Sequence, residues 1–335
     1  MSEVLSHVTG RAGVITLNRL ETLNALTLPM IRALTQALAA HVADPAVQVV
    51  VLRSASPKAF CAGGDMRRIR ELSLAGQVAE AHAFFEEEYA LIRDIARCPK
   101  PYVSLIDGIA MGGGLGLSVH GTHRVVTERA LMAMPETAIG FFPDVGGTYF
   151  LPRLPHRAGA WLGLTGARLS GAACVTSGLA TAFVPSAALP ALVQALETGT
   201  APVAEVIAAA TAADANAAGD AQRMGQLGAW FDAPDLRTVL ARLREVAGSG
   251  PATTADGPAA WAAQALSQLE ALSPAALEWS LRLMREGASR TLDEALAAEL
   301  TFSDEAIVHP DFIEGVRAVL VDKDRRPKWV GQLPG

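Results

Sequence analysis

Runs of β-branched residues alternate with helical patterns through the first half of the chain, and no other feature limits its possible fold as strongly. The runs predict strands at residues 14–18, 47–54, 102–108 and 123–128. Helical periodicity occupies much of the sequence between them. Strand, helix and strand in alternation predict an α/β fold in which the strands pair mostly parallel.

Two helical patterns lie between the predicted strands. The first begins after Thr27, whose side chain can cap a helix, and carries Pro29 in its first turn, where proline is tolerated. The second runs from Met66 to Cys98, and we predict one continuous helical stretch there.

After about residue 157 the sequence becomes rich in alanine and mainly helical, with glycine and proline between the helices. Only residues 181–185 have the composition of a strand. Residues 197–220 contain few large apolar side chains, so we predict an exposed helix or a lid there rather than part of the core. A linker is predicted at 247–257.

Composition and charge exclude several classes of protein. Half of the 335 residues are apolar, which is enough for a sizeable core. The formal net charge of −6 offers no basic field to a phosphate backbone, so we predict no nucleic-acid partner. Three scattered cysteines without a CxxC motif favour a reducing compartment and no zinc site. Because no apolar run approaches ~18 residues and no signal-like segment opens the chain, we expect a soluble cytoplasmic protein that does not enter a membrane.

Two predicted strands lead into glycine-containing turns that open a helix, AFCAGGDM at 59–66 and IAMGGGLGLSVHG at 109–121. Glycine lets the backbone approach a ligand closely, and the first amides of a helix have no intrahelical acceptor. Two such turns, followed by two acids, predict an oxyanion hole made of paired backbone N–H groups. Dinucleotide binding does not fit, since the glycine run from Gly112 cannot be aligned to G-x-G-x-x-G.

The two acids are Glu136 and Asp144, eight positions apart in MPETAIGFFPDVGG, where most other residues are apolar, glycine or proline. A buried acid without a partner is unfavourable, so each must be paired, hydrogen-bonded or used in chemistry. For Asp144, which follows a proline and precedes Val-Gly-Gly, capping of a turn is the structural alternative.

These motifs, in this order, resemble those of the crotonase (enoyl-CoA hydratase/isomerase) superfamily. The later segment DFIEGVRAVLVDKDRRPKW, at 311–329, resembles the 3-hydroxyisobutyryl-CoA hydrolase branch of that superfamily. The resemblance implies a crotonase-like spiral of strand-strand-helix repeats at 1–195, a mainly helical C-terminal region at 196–335, and acyl-CoA thioesters as substrates. It also implies that the amides of Gly64 and Gly113 bind the thioester carbonyl oxygen.

The acids distinguish between the reactions of the superfamily. The resemblance places the two catalytic glutamates of the hydratases at Gly116 and Glu136 of this chain, and a glycine cannot relay a proton. Asp144 adds a carboxylate where hydratases usually have glycine, an arrangement similar to the hydroxyacyl-CoA hydrolases. Our hypothesis is hydrolysis of 3-hydroxyisobutyryl-CoA, or a similar short hydroxyacyl thioester, as in valine catabolism. No metal or redox cofactor is expected.

Several alternatives remain open at this stage. Glu136 could attack the carbonyl carbon or act as a base toward water, while Asp144 orients the water or the substrate hydroxyl. The resemblance implies that Glu88 lines the substrate pocket, whereas its acidic neighbours Glu86 and Glu87 favour a solvated face.

The protein as a whole also has alternatives. It could be an enoyl-CoA hydratase/isomerase or a catalytically silent acyl-CoA-binding or scaffold protein. The superfamily favours a trimer or hexamer, but the long C-terminal region is also compatible with a monomer. Lys58, Arg67 and Arg68 flank the first glycine turn and are candidates for the CoA phosphates or for plain surface charges.

Overall fold

The structure, a computed structural model, describes residues 2–249 and 257–334. Most of the linker predicted at 247–257 therefore lies outside the described residues. The chain forms two compact units, each assembled from separated segments of sequence. The first comprises Met1–Asp65, Phe84–Ala133 and Arg168–Ala218, and the second comprises Met66–Ala83, Met134–Ala167 and Gly219–Gly335. These units do not coincide with the predicted division into a spiral core at 1–195 and a mainly helical region at 196–335. That division stays a prediction.

All of the described strands belong to the first unit. They are β1 (Val4–Thr9), β2 (Ala12–Leu17), β3 (Val49–Ser54), β4 (Ala59–Cys61), β5 (Tyr102–Ile106), β6 (Ile109–Met111), β7 (His123–Val126), β8 (Leu131–Ala133), β9 (Leu169–Ser170) and β10 (Ala182–Phe183).

The α-helices occur in both units. They are α1 (Leu28–Ala43), α2 (Met66–Leu74), α3 (Val78–Ala96), α4 (Gly113–Val119), α5 (Gly147–Phe150), α6 (Ala158–Thr165), α7 (Ala173–Thr176), α8 (Leu189–Thr198), α9 (Val203–Ala210), α10 (Ala217–Phe231), α11 (Leu236–Gly248), α12 (Pro258–Glu270), α13 (Pro274–Gly287), α14 (Leu292–Ala306) and α15 (Pro310–Val316). None of the described helices is long and apolar enough to cross a bilayer.

The strands form two sheets, and successive strands from β3 to β8 alternate between them. A six-stranded sheet has the order β1-β2-β3-β5-β7-β10, and a four-stranded sheet has the order β4-β6-β8-β9. Pairing is parallel except for β1 with β2 and β8 with β9. The pairs β3/β4, β5/β6 and β7/β8 each send one strand to each sheet, which is the strand-strand-helix repeat implied by the resemblance. The predicted α/β fold with mostly parallel strands is confirmed.

Local signals predicted several elements closely. The Thr27 hydroxyl accepts a hydrogen bond from Met30 N at 3.3 Å, and α1 begins with Leu28 and Pro29 as predicted. The prediction of one helix from Met66 to Cys98 is wrong. The chain breaks between α2 and α3 at Gly76, which has φ +70°. Glycine takes this left-handed conformation without strain, so it ends one helix before the next begins.

The prediction of an exposed helix or lid at 197–220 is also wrong in part. Val203 and Ile207 of α9 are buried in the apolar cluster of the first unit, together with Val14 and Val49 of the six-stranded sheet. Two branched side chains one helical turn apart form a stripe that packs on the cluster, while four alanines, Glu205 and the partly buried Val206 make up the rest of the helix. A low count of large residues therefore did not mean low burial.

Candidate active site

The two glycine turns lie at the ends of short strands in the four-stranded sheet. The first follows β4, where Gly63 has φ +103° and its carbonyl accepts a hydrogen bond from Leu26 N at 2.8 Å. The second follows β6, where Gly112 has φ +49° and caps α4, so that Gly113 is the first helical residue. Sequence analysis included these three-residue strands in the glycine turns at 59–66 and 109–121 and did not predict them as strands.

The backbones of the two turns are in close contact. A Cβ atom built on Gly113 would lie 3.4 Å from Gly64 N, and one built on Gly63 would lie 3.7 Å from Gly113 N. Within the described residues, neither Gly64 N nor Gly113 N donates a hydrogen bond to a protein acceptor. The structure thus brings the two predicted turns together. In the part of the chain that it describes, the Gly64 and Gly113 amides do not take part in backbone hydrogen bonding. That these amides bind a thioester oxygen stays a prediction.

Glu88 lies beside the same turns. It is 2% exposed, and its Oε1 atom is 2.5 Å from the position that a Gly113 Cβ atom would take. The neighbouring Glu87 instead pairs with Arg32 at the surface, at 2.6 Å. The interpretation of Glu88 as part of a solvated face is therefore wrong. A usable signal was present, because Glu88 is one helical turn from Phe84 and from Ile92, on the buried face of α3.

Cys61, the last residue of β4, is a buried thiol near the first turn. It donates a hydrogen bond to Asn24 O at 3.2 Å, and burial raises its pKa to about 12. A thiol with so high a pKa is not a nucleophile near neutral pH. The structure therefore agrees with the interpretation of Cys61 as a packing residue.

Glu136 opens a short 3₁₀ helix, Glu136–Ile139, in the second unit and is 6% exposed. This helix ends at Gly140, which has φ +70°. A Cβ atom on Gly140 would meet the backbone of Asp311, and one on Gly315 would lie 2.7 Å from Ile139 Cα. Helix α15, which begins the C-terminal motif, therefore packs directly against the helix that carries Glu136.

An aromatic cluster surrounds the segment between the two acids. The Phe141 and Phe142 rings stack with their centroids 4.5 Å apart. Phe312 of α15 lies 5.7 Å from Phe141, and Phe302 of α14 lies 5.3 Å from Phe142. Since both phenylalanines of the segment are buried, the acids beside them are held by a packed apolar core rather than by a surface loop.

Asp144 is the first residue of a tight turn and is 4% exposed. Its carbonyl accepts a hydrogen bond from Gly147 N at 2.7 Å, and the two residues between them have positive φ, +53° at Val145 and +80° at Gly146. Positive φ at both central positions is characteristic of a type I′ turn. Asp144 thus lies in a turn, as the structural alternative required, but its side chain is also buried.

A further buried acid, Glu299 of α14, binds this turn. Gly146 N donates to Glu299 Oε2 at 2.7 Å, and Thr148 N donates to Oε1 at 3.0 Å. The Thr148 hydroxyl also donates to Oε1. Burial raises the pKa of Glu299 to about 8, and the negative charge of Asp144 contributes to the increase. Sequence analysis missed Glu299, although its spacing from Leu296 and Ser303 places it on the buried face of the helix.

Comparison with known proteins identifies the family of this chain. Residues 12–332 match the family described as enoyl-CoA hydratase/isomerase. The chain belongs to this crotonase family.

Its relatives in the family include proteins named "3-hydroxyisobutyryl-CoA hydrolase, mitochondrial". The rat protein is 44% identical, with 98% of this chain and 84% of the relative covered, and the human protein has the same three values. Among solved structures, a carnitinyl-CoA dehydratase from Mycobacterium thermoresistibile matches with a TM-score of 0.88 and 37% identity, covering 98% of this chain and 92% of the other. An enoyl-CoA hydratase from Rhodobacter sphaeroides matches with a TM-score of 0.85 and 41% identity, covering 99% and 94%. The predicted crotonase-like fold is confirmed.

A buried glycine occupies position 116, where the resemblance implied a catalytic glutamate in the hydratases. Gly116 is in α4, and its N–H donates to Gly112 O at 3.1 Å. Among the described residues, no cluster of three His, Cys, Asp or Glu side chains could hold a metal ion. The prediction that the reaction needs no metal or redox cofactor still awaits a direct test.

Proposed function

We propose that this protein hydrolyses a short hydroxyacyl-CoA thioester, with 3-hydroxyisobutyryl-CoA as the preferred substrate, to the hydroxy acid and free CoA. One observation carries the choice of reaction. The helix that begins at Gly113 has glycine at 116 and no carboxylate there, whereas Glu136 and Asp144 are both buried acids. Hydration of a double bond relies on two proton-relaying groups, while thioester hydrolysis requires a polarised carbonyl and an activated oxygen nucleophile. The relatives named as hydrolases support the same choice.

In the proposed reaction, the N–H groups of Gly64 and Gly113 bind the thioester carbonyl oxygen and stabilise the negative charge that develops on it. An oxyanion donor of this kind contributes about 10²- to 10³-fold to the rate. The oxygen nucleophile adds to the carbonyl carbon, the carbon–sulfur bond breaks, and the CoA thiolate takes up a proton. We assign binding of the 3-hydroxyl group to Glu88, because its buried carboxyl group lies next to Gly113.

Glu136 has two possible roles in this reaction. As a nucleophile it would form an anhydride with the acyl group, which water then hydrolyses; as a base it would remove a proton from the attacking water. Asp144 orients the water or the substrate hydroxyl. A single turnover in H₂¹⁸O distinguishes the two, since only the anhydride route places the label in the Glu136 carboxyl group.

The experiment that tests the proposed function follows free thiol with a thiol-reactive dye after mixing with 3-hydroxyisobutyryl-CoA. We expect rapid thiol release that is lost in Glu136→Gln. The hydratase is the second candidate, because solved structures with 37% and 41% identity carry the names dehydratase and hydratase. Loss of the enoyl absorbance of crotonyl-CoA without thiol release would support that candidate. Tight binding of acyl-CoA with neither signal would indicate a silent binding or scaffold protein.

Location, cofactor and assembly are further parts of the proposal. The names of the relatives place those proteins in mitochondria, and they do not support the cytoplasmic location predicted for this chain. Cell fractionation tests in which compartment this protein lies.

We also propose that valine breakdown supplies the substrate. Because no metal is proposed to take part, we expect activity to survive chelation by EDTA. Analytical ultracentrifugation distinguishes the trimer or hexamer from the monomer.

A further inference from the structure

The turn that carries Asp144 is held in a backbone conformation that its own sequence does not favour. Val145 is β-branched, and φ +53° is a rare conformation for such a residue. Gly146 follows with φ +80°. Conformations of this kind persist only where surrounding groups hold them in place, and they are frequent at functional sites.

Glu299 supplies the groups that hold this turn. Its two carboxyl oxygens accept hydrogen bonds from Gly146 N and Thr148 N, the amides that follow Val145 on either side of Gly147. Glu299 is fully buried, and Thr148 is fully buried as well. In a buried setting each of these bonds is strongly favoured, because an unsatisfied amide there is costly.

We infer that Glu299 is a positioning residue for Asp144: by binding the amides of this turn, it fixes the direction in which the Asp144 side chain leaves the backbone. The inference rests on the proposed function, in which Asp144 orients the water or the substrate hydroxyl. On this inference, Glu299 of α14 contributes to catalysis by holding the turn that carries Asp144, and it does not itself bind the substrate.

Electrostatics supports the proximity of the two acids. The charge of Asp144 acts on the Glu299 carboxyl group in addition to burial, while the hydrogen bonds from Thr148 and Gly146 oppose both effects. Replacing Glu299 therefore changes the hydrogen bonds that fix the turn beside Asp144. A role limited to joining α14 to α5 would affect stability but not act through Asp144.

The first test is Glu299→Gln, assayed by thiol release from 3-hydroxyisobutyryl-CoA. Glutamine retains one acceptor oxygen and replaces the other with an NH₂ group, which cannot accept from a backbone N–H. We expect kcat to fall about 10- to 100-fold, the size of effect expected when a reacting group is displaced by ~1 Å, with KM changed less than about threefold. Ser303→Ala is the matched control, because Ser303 is equally buried on α14 and, among the described residues, its hydroxyl donates to Leu300 O of the same helix. We expect wild-type kcat for Ser303→Ala.

The second test is a double-mutant cycle with Asp144→Asn. If Glu299 acts through Asp144, adding Glu299→Gln to Asp144→Asn lowers kcat by less than about threefold, because the group it positions is already lost. Losses that multiply would overturn the inference even though the wild-type enzyme hydrolyses the thioester. Wild-type kcat in Asp144→Asn alone would overturn the assigned role of Asp144 and the inference with it. Absence of thiol release from the wild-type protein would instead reject the proposed function.

Thr148→Val keeps the cycle informative if Glu299→Gln does not fold. This substitution removes only the hydroxyl that donates to Glu299 and leaves the Thr148 amide in place. We expect a smaller fall in kcat, about three- to tenfold for one hydrogen bond, and no further fall in the Asp144→Asn background. A fall of the same size in both backgrounds would contradict the inference.

Discussion

The Oε1 atom of Glu88 lies 2.5 Å from the position that a Cβ atom on Gly113 would occupy. A side chain at residue 113 would therefore collide with the carboxyl group that we assign to the substrate hydroxyl. The same Cβ atom would lie 3.4 Å from Gly64 N. The acid and the two amides consequently constrain one another, and glycine is the residue that fits between them.

Gly113→Ala is predicted to affect activity more than stability. The atoms nearest to the added methyl group, Glu88 Oε1 and Leu26 Cδ1, are ends of side chains that can move. We expect unfolding free energy to fall by about 1–2 kcal/mol, while thiol release falls about 10²- to 10³-fold because the amide pair is disturbed. Gly225→Ala is the control, since a Cβ atom there meets no heavy atom within 4 Å. Equal activity in the two variants would contradict the proposed oxyanion hole.

Glu88→Gln is predicted to reduce hydrolysis of the hydroxylated substrate selectively. We expect kcat/KM for 3-hydroxyisobutyryl-CoA to fall about 10-fold relative to isobutyryl-CoA, which lacks the hydroxyl, because an NH₂ group replaces one of the two carboxyl oxygens that can bind it. Glu87→Gln provides a matched control at the adjacent position, where the side chain pairs with Arg32 at the surface. If Glu88→Gln lowers the rates of both substrates equally, the carboxyl group does not recognise the hydroxyl.

The pH dependence of stability should reveal Glu299. Its pKa is raised from the ordinary 4.5 to about 8 in the native protein, so between these values the native state binds a proton that the unfolded state does not. Stability then falls as pH rises, by on the order of a few kcal/mol across the whole interval. Urea unfolding at pH values from 5 to 9 measures this change in the free energy of unfolding. In Glu299→Gln the slope should be less negative, and parallel curves for the two proteins would show that Glu299 keeps an ordinary pKa.

The sequence predicted those parts of the fold and site that depend on neighbouring residues. Thr27 caps α1 by accepting a hydrogen bond from an amide three residues away, and the glycine turns follow their own strands. Contacts between distant residues were not predictable in this way. Glu299 binds Gly146, which is 153 positions away in the chain, and no local pattern indicates which turn a buried acid faces. Glu88 lies between these cases, because its helical spacing marked it as buried but its acidic neighbours favoured a solvated face.

Gly315→Ala tests whether the C-terminal motif supports Glu136. Alanine in the interior of a helix is ordinarily more favourable than glycine by about 1 kcal/mol. In α15, however, the new Cβ atom would lie 2.7 Å from Ile139 Cα, and this backbone belongs to the 3₁₀ helix that begins at Glu136. We therefore expect Gly315→Ala to lower the free energy of unfolding by about 1–3 kcal/mol. The measurement is a lower Tm together with a lower kcat. Gly219→Ala, at a helical position where a Cβ atom meets no heavy atom within 4 Å, should raise Tm instead. An increase in Tm in both variants would show that α15 yields without disturbing the Glu136 helix, and that the motif is not needed to hold this acid.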